Sequence, residues 1–147
     1  MCIRDSSLFG KSNDEAKYII TGNNRDVNRY KWNYKNISKR LDNKNSKQSI
    51  FYQKISNLLS VKRKQKAFHP NAARHNMNLG SKIFSFKRVS INKEQTIICI
   101  SNLSSKIQRV RLNKIYHNWN NLIGSKIEIK NKLLILKPFE TIWLSNK

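Results

Sequence analysis

The chain is poor in the residues that punctuate or staple a fold: its 147 residues include two cysteines, two prolines and four glycines. Two thiols, Cys2 and Cys99, supply neither a disulfide framework nor metal ligands at a usable spacing. Cys99 lies within Thr96-Ile97-Ile98-Cys99-Ile100, an apolar run in which a thiol acts as a small, inert, buried hydrophobe. No apolar run approaches the ~18 residues of a membrane span, and the first thirty residues lack the charged-then-apolar pattern of a secretory signal. A reducing, cytoplasmic setting is the resulting expectation. Acidic residues are also scarce, with eight Asp+Glu against 30 Lys+Arg and a net charge of +22.

That charge would suit nucleic acid or an anionic membrane if it were clustered, because phosphates reward grouped Lys and Arg. Residues 1–70 carry 16 Lys+Arg against 5 Asp+Glu, and residues 71–147 carry 14 against 3, so the charge is spread. Lysine, asparagine and isoleucine are abundant together, as AT-rich codon usage produces. The basic balance therefore reads as solvated surface, with no nucleic-acid and no membrane partner expected. An apolar content of 38% supports one small domain, or a small domain plus part of another.

Met1-Cys2-Ile3-Arg4-Asp5-Ser6 resembles a translated sequencing adapter. Residues 1–6 are set apart from the fold on that ground, and the natural coding sequence is expected to continue upstream of Ser7. Residues 7–34 are polar and irregular, with Gly10, Gly22 and Asn23-Asn24 as turn formers, which predicts a long loop. Loops of that length in compact proteins are functional or disordered. A short helical turn is expected over residues 37–41. Ser46 is a candidate N-cap, and Ile50, Phe51, Ile55, Leu58 and Leu59 recur at helical spacing. This predicts a helix over residues 46–66 with one apolar stripe, ending in a cationic run before Pro70.

After Pro70 the period becomes two, as in Phe84 and Phe86 alternating with Ser85 and Lys87. Strands are predicted over residues 76–79, 83–89, 96–101, 106–112, 126–129, 132–136 and 140–144, forming an antiparallel β-sandwich. Trp143, Phe84 and Ile98 fall on inward positions of separate strands and are expected in one core.

His69, His75 and His117 have no Cys or acidic partner at ligand spacing, so no metal site is predicted. No nucleophile elbow supports a Ser-His-Asp reading, and Glu94, Glu128 and Glu140 sit in strand or turn contexts where solvation is the default. The residues point to no catalytic centre within these 147. Arg25-Asp26-Val27-Asn28-Arg29 is the one constellation with binding character. Two guanidinium forks in a polar loop can clamp a carboxylate, a phosphate or sugar hydroxyls. The alternative is an Arg29–Asp26 salt bridge that only shapes the loop.

Ser7-Leu8-Phe9-Gly10, Asn13-Asp14, Thr21-Gly22, the Arg25 to Arg29 motif, Ala67-Phe68-His69-Pro70-Asn71-Ala72 and Leu136-Lys137-Pro138-Phe139-Glu140-Thr141-Ile142-Trp143-Leu144 follow one another in family order and spacing. Together they resemble the C-terminal end of sucrose phosphorylase-like sugar phosphorylases, the sucrose and glucosylglycerate phosphorylase branch of glycoside hydrolase family 13 in the α-amylase superfamily. The resemblance covers nearly everything after residue 6. It implies an α+β fragment: residues 7–66 would be the last active-site loop and last helix of a catalytic (β/α)8 barrel, and residues 67–147 a C-terminal β-sandwich. Arg25 would hold glucosyl hydroxyls beside an upstream Asp. Asn28 and Arg29 share the motif and would bind substrate or shape the loop. Val27 stands where isoleucine is usual in the family.

The resemblance further implies a glycosyltransferase of carbohydrate metabolism. It would act by double displacement with retention, passing a glucosyl unit to inorganic phosphate as co-substrate, with no cofactor. Its catalytic carboxylates would lie upstream of Ser7, leaving this fragment inactive. Phe68-His69-Pro70-Asn71-Ala72 is closer to members acting on glucosylglycerate or sucrose phosphate than on sucrose. Two other readings stay open. One is an α-glucosidase-type hydrolase of the same superfamily. The other is a basic β-sandwich binding module in which Phe84, Phe86, Tyr116 and Trp119 are exposed stacking groups.

Overall fold

The computed structural model describes residues 9, 12–27, 32–124, 127–130 and 133–147. It is an α+β structure with antiparallel sheets, divided into two compact units, Met1–Leu59 and Ser60–Lys147.

The first unit contains α1 (Glu15–Thr21), α2 (Tyr34–Asp42) and most of α3 (Lys47–Arg63). The long loop expected over residues 7–34 is thus interrupted by a helix. Its signals are local. Asp14 caps the helix by accepting from the Lys17 N–H at 3.0 Å. Gly22, at φ +63°, ends it by donating its N–H to Tyr18 O, a left-handed closure that a residue with a Cβ takes at a cost. The expected turn at residues 37–41 is the centre of α2, whose N-cap Asn33 accepts from the Lys35 N–H. Ser46 caps α3 as predicted, accepting from the Ser49 N–H at 3.0 Å, and its hydroxyl donates to Arg40 O.

The apolar residues expected on one stripe of α3 are mostly open to solvent. Its buried residues are Gln48 and Ser49, whereas Ile50, Phe51, Leu58 and Leu59 are exposed. Gln48 takes its place by accepting from Arg40, whose guanidinium also lies over the Trp32 ring at 5.8 Å. Phe9 contacts both Trp32 and Tyr52. Among the described residues of this unit, no apolar side chain is fully buried.

The second unit contains β1 (Ala73–Met77), β2 (Ile83–Val89), β3 (Thr96–Asn102), β4 (Gln108–Arg111), β5 (Asn120–Asn121), β6 (Glu128–Lys130), β7 (Leu133–Leu136) and β8 (Thr141–Ser145). They form a five-stranded sheet, β1-β2-β3-β8-β5, and a three-stranded sheet, β4-β7-β6, with antiparallel pairing throughout. Ile98, Ile100, Ile142 and Leu144 of the larger sheet meet Val110, Leu134 and Leu136 of the smaller in one buried cluster. Truncating Leu134 or Leu144 to alanine there would cost about 2–5 kcal/mol.

The opposite face of the larger sheet is covered as well. Ile97 and Cys99 pack with Ala67 of the 3-10 turn Lys66–Phe68, and Phe68, Phe86 and Trp143 lie against them. This overturns the expectation that Trp143, Phe84 and Ile98 share a core. Ile98 pairs with Leu144, Cys99 with Trp143 and Phe84 with Ser101, so Trp143 and Phe84 point away from the face that holds Ile98. Phe84 is 47% exposed, and Ser85 is buried in its place, with its hydroxyl donating to Met77 O.

Candidate functional site

The only binding constellation anticipated from residue types lies in the first unit, in a loop whose two ends are tied together. The Asp14 N–H donates to Val27 O at 2.7 Å, so residues 14–27 return on themselves. Inside this loop, α1 leads through Gly22 to a 3-10 turn, Asn24–Asp26, where Asn23 Oδ1 accepts from the Arg25 N–H at 3.1 Å. Asp26 lies 3.5 Å from Lys17 Nζ, bracing the turn against the helix. The order of elements therefore places Arg25 at the apex of the turn, and its side chain is exposed.

A guanidinium so placed can present its planar donor fork to an acceptor-rich ligand. Asn28 and Arg29, the other residues of the motif, lie outside the described residues. Local Asx capping by Asn23 fixes the backbone at Arg25.

Among the described residues, no group of three or more His, Cys, Asp or Glu could hold a metal ion. His69 Nδ1 accepts from the Asn71 N–H, and His117 Nε2 lies 3.2 Å from Leu112 O. Glu94 lies 3.5 Å from both Lys66 Nζ and Lys147 Nζ, and these cations hold its carboxyl below the usual carboxylate value. Glu140 Oε2 accepts from the Lys137 N–H at 2.7 Å. Both carboxylates thus serve turns. Cys99 is buried, and loss of hydration pushes its thiol up to about 12 despite Arg88 and Arg74 nearby. Phe86 is half-buried beneath Arg74 at 4.7 Å, and Tyr116 and Trp119 pack partly on the core. Of the four aromatic residues considered as stacking groups, Phe84 is the exposed one.

One feature escaped sequence reasoning altogether: a cavity of about 420 Å³ lined by His117, Asn118, Trp119, Asn120, Asn121 and Ile127. These residues follow no helical or strand period, so only their composition, an aromatic ring among amides, could have drawn attention to them.

No family model matches the chain. It is 25% identical over 138 residues to a glucosylglycerate phosphorylase of Escherichia coli (strain K12), covering 94% of this chain and 24% of the relative. It is 28% identical over 98 residues to a glucosylglycerate phosphorylase of Spirochaeta thermophila, covering 67% of this chain and 17% of the relative. The chain thus spans about a quarter or less of the length of the curated relatives it matches. Among solved structures, an alpha-glucosyl transfer enzyme, XgtA, superposes with a TM-score of 0.56 at 14% identity, over 75% of this chain and 19% of that one. At that identity the likeness is one of fold. In sequence, the chain resembles glucosylglycerate phosphorylases over most of its length.

Proposed function

We propose that the chain is the C-terminal part of a retaining α-glucosyl phosphorylase that acts on glucosylglycerate. Residues 7–66 would be the end of its catalytic (β/α)8 barrel and residues 67–147 its C-terminal β-sandwich. The observation that carries this reading is the alignment of 94% of the chain with 24% of a glucosylglycerate phosphorylase. The physics of the first unit supports it independently. Ile19 and Ile20 are 79% and 83% exposed, and Phe51, Tyr52 and Leu59 are also open to solvent. A unit with three helices and no fully buried apolar side chain among its described residues lacks the burial that offsets chain entropy. The missing cover is the remainder of the barrel.

In the intact enzyme, an upstream Asp displaces the glycerate oxygen at the anomeric carbon while an upstream Glu protonates that leaving oxygen. Phosphate then attacks the glucosyl ester from the face the glycerate left, giving α-glucose 1-phosphate and regenerating the carboxylate. Arg25 takes part by holding glucosyl hydroxyls with its fork. The two donors orient the ring without entering the bond changes, so their contribution is positioning. Phosphate is the co-substrate, no cofactor is needed, and the enzyme works in the cytoplasm. No helix among the described residues is long and apolar enough to cross a membrane.

A chimera tests this reading. Residues 7–147 replace the aligned quarter of the Escherichia coli relative, and glucose 1-phosphate release from glucosylglycerate and phosphate is measured. Phosphorolysis by the chimera, with none by the 147-residue chain alone, is the expected result. A folded chimera that releases only free glucose would point to the hydrolase, and activity of the chain alone would overturn the fragment reading.

A further inference from the structure

The two sheets of the second unit end side by side. β5 is the last strand of the larger sheet, β6 is the last strand of the smaller, and the cavity of about 420 Å³ is lined by both residues of β5 and by Ile127, which precedes β6. Its size falls within the roughly 300–1,000 Å³ of small-molecule sites. The chemistry of its lining is unusual for this chain. With 30 Lys+Arg and eight Asp+Glu in the sequence, none of the six lining residues among the described residues belongs to those types. What these six described residues offer a ligand is shape and neutral hydrogen bonds.

The lining is also organised. Trp119 is half-buried and held edge-to-face by Tyr116, with ring centroids 4.8 Å apart at 78°, so an aromatic surface stands in the cavity at little entropic cost. Asn118 and Asn120 flank it in sequence and are exposed. Each carboxamide offers one acceptor oxygen and two donor hydrogens, the complement of neighbouring hydroxyls that both donate and accept. His117 Nε2 lies 3.2 Å from Leu112 O. A carbonyl only accepts, so Nε2 is the donor in that contact. Asn121 serves the frame, its Oδ1 accepting from the N–H groups of Trp143 and Ile123.

We propose that this cavity binds a neutral saccharide ring, with Trp119 against its C–H face and the amides of Asn118 and Asn120 on its hydroxyls. The proposal rests on the second unit alone and holds whether the parent enzyme is a phosphorylase or a hydrolase.

The test is titration of the ¹⁵N-labelled 147-residue chain with maltose, following the Trp119 indole N–H and the side-chain amides of Asn118 and Asn120. Saturable shifts at these groups, with a dissociation constant on the order of 1–10 mM for so small a contact, are expected. Asn118→Ala and Asn120→Ala, both exposed and outside the core, should each weaken binding by about three- to tenfold. Trp119→Phe should weaken it and Trp119→Ala abolish it. Glycerol and inorganic phosphate at matched concentration should leave the same resonances in place. No maltose-dependent shift at these three residues, shifts unchanged in both Asn variants, or equal shifts with phosphate would overturn the proposal.

Discussion

The backbone N–H of Ala67 donates to Gln95 Oε1 at 3.0 Å across 28 residues of sequence, with both residues buried. The same carboxamide donates to Gln65 Oε1 at 2.7 Å and to Ser145 Oγ at 3.3 Å, and the Gln95 N–H is received by Ser90 Oγ. One side chain thus pins the 3-10 turn Lys66–Phe68 to the end of the larger sheet. Arg88 adds a second tie, its Nε donating to Ala67 O at 3.0 Å. Gln95→Leu would leave the Ala67 amide without its acceptor and should cost about 1–3 kcal/mol. Urea unfolding followed by tryptophan emission in a Trp32→Phe, Trp119→Phe background measures this, because the remaining Trp143 lies against Phe68 with centroids 4.8 Å apart. A midpoint unchanged from the parent chain would show that the turn is held by Arg88 alone.

Asn102 is 1% exposed and joins the two sheets at the other end of the fold. Its Nδ2 donates to Lys106 O and Lys137 O, each at 2.8 Å, and its Oδ1 accepts from the Ser104 N–H and hydroxyl. Asn102→Leu strands several part-buried partners at once, and a loss of about 3 kcal/mol is expected. Asn102→Asp keeps only the acceptor half of the network and should also be destabilising. Thermal unfolding by circular dichroism is the measurement.

Cys99 should resist alkylation. In a Cys2→Ser background, the sole thiol should react with iodoacetamide only after denaturant is added, since burial keeps it protonated and covered. The sign of the pH effect follows. The folded thiol ionises near 12 and the unfolded one near 9, so above about pH 9 only the unfolded chain gains by losing the proton. Stability should be intact below that pH and decline toward pH 12. Cys99→Ala should remove this alkaline loss, and an unchanged decline would assign it to other groups.

Arg25→Lys, made in the chimera, keeps the charge and loses the planar fork. Because a hydrogen bond from a charged group is worth about 1.5–3 kcal/mol, kcat/KM for glucosylglycerate phosphorolysis should fall on the order of a hundredfold. Arg29→Lys should be milder if that residue only shapes the loop. Wild-type efficiency in Arg25→Lys would remove Arg25 from the substrate site.

Much of the strand pattern was legible because alternation and turn residues are local. Residues 83–89 are a strand as predicted, and Ser46 announces α3 through its own hydroxyl. The direction of β2 was not legible. Alternating Phe84-Ser85-Phe86 suggests that the rings face the core, but that inference assumes a sheet covered on one side. β3 is buried on both faces, and the second cover, Lys66–Phe68, comes from a segment without strand periodicity. α1 is not visible in the pattern because Gly22 reads equally well as a turn former, the capping role of Asp14 is a single-residue signal, and its two isoleucines are exposed. β5 has two residues and no period at all, which is why the cavity beside it left no pattern. A substrate role for Arg25 is suggested only by family resemblance, since a paired arginine motif looks the same whether it binds sugar or braces a loop.

β8 lies between β3 and β5 in the larger sheet although it is the last of the eight strands in the chain. On the ribosome, β1, β2 and β3 can form a meander as they emerge, but the β3 edge then waits through some forty residues for its partner. At about 5–20 residues per second, that apolar edge is unpaired for seconds. Ile97, Ile98, Cys99 and Ile100, buried in the finished sheet, are in that interval the segment most open to pairing with another nascent chain. A nonsense codon anywhere between β3 and β8 would make the exposure permanent, so truncated products of this gene should be substrates for chaperones and proteases.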